Sequence, residues 1–116
     1  MTVDRSVTYR LFGEEQVARN ASVALVDILR TIAKEQPGLL AEVSGAVRTS
    51  KLNHIARSPQ EINPGRPDLA RAAEIAPGWL VGLNIANRDK MMILRAACRV
   101  YELSLPGDLE IALPNA

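Results

Sequence analysis

The sequence predicts an α+β fold, one domain of helices packed on a small, mainly antiparallel sheet in the order ββααβ(α)βαβ. Three observations carry that expectation. The chain has 116 residues, 47% of them hydrophobic, which suits a single core. Short runs alternating polar and apolar residues, or continuously apolar and β-branched, read as strands. Two longer segments repeat their apolar residues every three or four positions, as helices do.

In chain order, Val7-TYRLF-Gly13 alternates and ends at a glycine, and Glu14-EQV-Ala18 follows, so residues 7 to 18 read as a β-hairpin. Asn20 or Ser22 can cap a helix whose Leu25, Ile28, Leu29 and Ile32 share one face. The break at Gln36-Pro37-Gly38 ends it, and Pro37 suits the first turn of a second helix through Leu39, Leu40 and Val43. Thr49, Leu52 and Ile55 are strand candidates, and Ser58-Pro59 has the form of a cap followed by a first-turn proline.

A polar, proline-rich loop follows through Asn63 to Pro67, with a helical turn or two expected between Pro67 and Ala73. Trp79-LVGLN-Ile85 is the clearest strand, and Trp79 is expected to be the largest core residue. From Asn87 the period becomes helical, with Ile93, Leu94, Ala97, Val100 and Tyr101 on one side and Arg88, Arg95 and Arg99 on the other. Lys90 falls on the core side, near enough to the helix start for its ammonium to reach past the end. Leu109-EIA-Leu113 reads as a final strand.

The lone Cys98 cannot close an internal disulfide, the N-terminus has no apolar signal core and no apolar run approaches a membrane span, so a cytoplasmic protein is expected. One histidine and one cysteine cannot make a His/Cys zinc cluster, and no carboxylates are spaced with His54 in a metal motif. Asp68 and Glu74 lack the lysine of a metal-dependent nuclease, and Gly78 and Gly82 do not form a phosphate-cradling loop. A non-enzymatic protein without metal or cofactor is therefore expected.

Net charge is only +1, yet it is segregated. Residues 43 to 60 hold Arg48, Lys51, His54 and Arg57 and no acid, while the stretch from Tyr101 holds Glu102, Asp108 and Glu110 and no base. A local basic patch is a footprint for phosphate, although such a run is also an ordinary solvated loop. The other candidate is the turn Asn84-IANRD-Lys90, which opens the last helix. Asn87 is a good N-cap, a helix N-terminus favours phosphate, and Asn and Arg side chains can read base edges in paired hydrogen bonds.

These two segments carry a resemblance. Leu25-VDILRTIAKEQPGLLA-Glu42, then Arg48-Thr49 with Lys51 and His54-Ile55-Ala56, then Pro77-Gly78-Trp79-Leu80-Val81, and finally Asn84 to Lys90 before a closing helix follow the order of motifs in one known domain. From about Ala24 to Leu113 the chain resembles the C-terminal DNA-binding domain of the SeqA family, replication-sequestration proteins that recognise hemimethylated GATC sites. Asn84 fits the first asparagine of that family's DNA-contacting loop. Ala86 stands near the second, Leu83 and Ile85 replace flanking threonines, and the hairpin at residues 7 to 18 stands where the family has an oligomerisation segment. That hairpin arrangement also resembles small modules at the ends of restriction or phage-defence proteins.

The resemblance implies a nucleoid-associated module that binds double-stranded DNA through Arg48, Thr49, Lys51, Asn84, Asn87, Arg88 and Lys90, with Arg57 and Arg95 at the margin. The alternative is a protein-interaction module of a defence or regulatory system that has lost its DNA face, with a protein partner or a second copy as its ligand.

Overall fold

The N-terminal hairpin forms because Phe12 and Gly13 both take positive φ, 52° and 82°, giving the two-residue turn whose twist matches paired strands. It joins β1 (Val7–Leu11) to β2 (Glu14–Ala18), with Leu11 opposite Glu14. Alternation puts Val7, Tyr9 and Leu11 of β1 inward. The computed structural model describes residues 5–48, 53–62 and 71–116.

Helix α1 (Ala21–Ala33) starts where expected, the Asn20 side-chain oxygen accepting from the Val23 amide at 2.9 Å. A 3₁₀ turn at Pro37–Leu39 leads into α2 (Leu40–Val47), then come β3 (Ile55–Ala56) and the one-turn helix α3 (Pro59–Ile62). The chain continues through β4 (Ala72–Ala76), β5 (Trp79–Gly82), α4 (Asn87–Val100) and β6 (Leu109–Ile111). The fold is α+β, with four helices and two three-stranded antiparallel sheets, ordered β2-β1-β6 and β3-β5-β4, among the described residues.

The expected elements across residues 72–85 are corrected in two ways. Ala72 and Ala73, at the end of the expected helical turn, open β4, because the Pro77-Gly78 turn folds this segment back on β5 as a hairpin. Gly78 has φ 78°, the left-handed value that the third residue of such a turn needs. The strand at Trp79 also ends at Gly82, three residues before Ile85.

Helix α1 is central, packing on α4 and on strands of both sheets. Leu25, Ile28 and Leu29 are fully buried there, joined by Leu40, Val43, Val81, Ile93 and Leu94. Helix α4 ends as a Schellman motif: Leu103 N–H donates to the Cys98 carbonyl and Glu102 N–H to that of Arg99, with Glu102 at φ 57°. Tyr101 Oη then donates to the Gln36 carbonyl at 2.7 Å, tying this end to the turn after α1.

Trp79 is half-buried rather than a central core residue. Its ring packs against the core while the Arg57 guanidinium covers it, 4.5 Å from the ring centre. Trp79→Ala is therefore expected to cost about 2 kcal/mol, below the roughly 3–5 kcal/mol of a fully buried aromatic. Urea denaturation of the purified variant measures this directly.

Candidate nucleic-acid interface

Asn84 leaves the sheet beside Arg71, because the Leu83 amide donates to the Arg71 carbonyl at 2.7 Å and holds the start of the β5–α4 turn against the entry to β4. Helix α1 packs on β4 from the other side, and Arg30 Nε donates to the Glu74 carbonyl at 2.9 Å, fixing that guanidinium at the junction. Arg19, in the turn between β2 and α1, lines the same space.

The result is a cleft of about 400 Å³ whose polar lining includes Arg19, Arg30, Arg71, Asn20, Ser22, Asp27 and Asn84. Three guanidinium groups face one carboxylate. Among the described residues Arg19 and Arg71 form no ion pair, and the first turn of α1 at the cleft holds no acid to offset its positive dipole end. This is an anion-attracting concavity with an exposed amide side chain at its edge.

Asn87 and Lys90 serve differently from expectation. Ala86 holds the N-cap position in extended backbone and Asn87 is the first helical residue, so Asn87 does not cap. Its side-chain nitrogen donates to the Pro114 carbonyl at 2.9 Å, and its oxygen accepts from Lys90 Nζ at 3.3 Å. Lys90 is only 7% exposed, and burial holds its ammonium below the ordinary lysine pKa. Asn87 thus ties the C-terminal segment to α4, and Lys90 holds the Asn87 amide in place.

They line a second hollow together with Arg5, and this hollow shares Asn20 and Ser22 with the arginine cleft. The two hollows therefore flank the start of α1, which places Asn84, Asn87 and Lys90 around one helix end. Arg48 and Arg88 are exposed and line neither. Thr49 and Lys51 lie outside the described residues. Strand β3 pairs with β5 and the His54 carbonyl accepts from the Gly82 amide at 2.8 Å, which sets residues 54–56 beside the end of β5. Of the marginal candidates, Arg57 covers Trp79, and Arg95 faces a different groove, beside β6.

Arg19, Arg30 and Arg71 were not singled out by the sequence. Each stands alone in its segment, and only the packing of α1 on β4 unites them. The one available signal was Arg30, placed by helical period off the apolar face of α1. Cys98 is buried, which raises its thiol pKa, and among the described residues no group of three His, Cys, Asp or Glu side chains could hold a metal.

His54 is 4% exposed, and its burial lowers the imidazole pKa from the ordinary 6.5 against a smaller opposing pull from Asp89. A lowered folded-state pKa means that the unfolded chain binds the proton more readily. The stability associated with neutral His54 is therefore present above pH 6.5 and lost as pH falls below it towards the folded-state value. Melting temperatures at about pH 7.5 and about pH 5.5 should differ less in His54→Gln than in the parent chain.

Compared with known protein families, curated proteins and solved structures, the chain matches none of them. Among the described residues no helix is long and apolar enough to cross a membrane.

Proposed function

We propose that this chain is a non-enzymatic DNA-binding module that takes the duplex backbone in the arginine cleft and presents Asn84 to the groove beside it. The observation that carries this reading is the position of Asn84, exposed at the edge of a cleft with Arg19, Arg30 and Arg71. Guanidinium groups pair with phosphate oxygens in a fixed planar geometry and set register. An asparagine amide next to them can donate and accept at once, which suits an adenine edge. The motif order resembling the SeqA domain supports DNA as the polyanion. Arg48 and Arg88, both exposed, extend the contact if the duplex runs past the cleft.

Asn84→Ala is expected to reduce discrimination between a preferred duplex and a scrambled one by about 1–3 kcal/mol, leaving the weaker backbone affinity in place. Fluorescence anisotropy with unmethylated, hemimethylated and fully methylated duplexes measures it. Equal affinities for all duplexes, unchanged by the substitution, would leave backbone binding alone.

The hairpin favours a second reading. Phe12 is 51% and Val17 68% exposed, two large apolar side chains on one short element, as a protein-interaction module of a defence or regulatory system would present. Steep salt dependence belongs to the DNA reading, and an apolar protein interface would lack it.

A further inference from the structure

Strand β6 is an edge strand, and its outward backbone opens into a groove. Phe12 N–H donates to the Asp108 carbonyl, so in the β1–β6 register residues 108 and 110 bond to β1 while Leu109 and Ile111 point their backbone groups away. The Leu109 amide is taken by the Ser104 carbonyl at 3.1 Å. The N–H and C=O of Ile111 and the C=O of Leu109 have no hydrogen-bond partner among the described residues.

Helix α4 forms the facing wall. Between it and β6 lies a groove of about 820 Å³ with Met91, Cys98, Leu103 and Leu105 among its apolar lining. Arg95 and Arg99 also line it, one helical turn apart, both exposed and neither in an ion pair among the described residues. Glu110, which lines the same groove, lies 4.0 Å from Arg10 on β1, and the Asp108 carboxylate near Cys98 accepts from the Ser104 amide and hydroxyl. A helix and an open strand edge with unused donors and acceptors between them form the arrangement in which an extended peptide adds to a sheet.

We infer that this groove binds a short, extended segment of a partner protein as an added strand on β6, its apolar side chains seated against α4 and its carboxylates on Arg95 and Arg99. Charge selects this occupant. Two unpaired guanidinium groups four residues apart on a helix are about 6 Å apart along its axis, close to the roughly 6.6 Å between alternate residues of a strand. A strand laid along α4 with acids at two alternate positions matches that spacing. The site is separate from the arginine cleft around Asn84 and does not depend on DNA binding.

Selection of a phage-displayed library of seven-residue peptides on the full chain tests it. Peptides joining aliphatic residues with Asp or Glu are expected to enrich, and the enriched peptide should lose at least tenfold in affinity for Arg95→Glu/Arg99→Glu. Ile111→Pro removes an N–H that faces the groove and part of a half-buried side chain, so it should also weaken the peptide while the β1–β6 ladder is kept, with a lower melting temperature; Ile111→Ala, which keeps the N–H, is the control for the lost packing. If that variant fails to fold, the arginine pair decides. No enrichment over the charge-reversed chain, or enriched peptides that bind both variants unchanged, overturns the proposal. A self-dimer that Ile111→Pro abolishes would assign the edge to a second copy and overturn it as well.

Discussion

Leu29→Ala should destabilise the protein by about 3–4 kcal/mol. Leu29 is fully buried on α1, the helix that packs against α4 and both sheets, so the cavity would open where neighbours on several sides are held by other contacts and can collapse only in part. Small domains are stable by about 5–15 kcal/mol, so this is a large fraction of the total. The urea midpoint should fall with the slope of the transition little changed, which separates lost packing from an altered denatured state. Arg88→Ala, at an exposed position on α4, is the matched control and should shift stability by less than about 0.5 kcal/mol.

Removing the cleft's charge should have the larger functional effect. Arg19→Ala/Arg30→Ala/Arg71→Ala is expected to weaken duplex binding about a hundred- to thousandfold at low salt, since each lost phosphate contact costs on the order of 1 kcal/mol or more. The fold should persist, because all three side chains belong to exposed residues and, among the described residues, Arg30 alone of the three side chains carries a hydrogen bond, to the Glu74 carbonyl. A melting curve on the same preparation distinguishes lost contact from lost structure. Arg10→Ala, at an exposed position of β1 outside the cleft lining, should bind as the parent does.

Local pattern made much of the fold legible. The hairpin, the Asn20 cap, the inward faces of α1 and α4 and the final strand all follow from residue type and spacing within a few positions. What was not legible depended on contacts distant in sequence. Ala72–Ala76 has little intrinsic preference for a strand and becomes one through its pairing with β5 across Pro77-Gly78. Asn87 looked like a cap because of its type, yet the Pro114 carbonyl takes its amide and Lys90 its oxygen. The candidate site shows the same division. Asn84 was visible at the change of period before α4, whereas the three arginines around it come from the β2–α1 turn, α1 and the entry to β4, and no window of sequence contains them together.

The central claim, that the cleft beside Asn84 holds a DNA backbone, is tested most directly by the salt dependence of duplex affinity. Each phosphate neutralised contributes a slope of about 0.9 in log affinity against log salt, so three arginine contacts predict a decline of about 2.7, flattened in the triple alanine variant. An affinity that does not change with salt, or a slope that the triple variant leaves intact, would contradict the account.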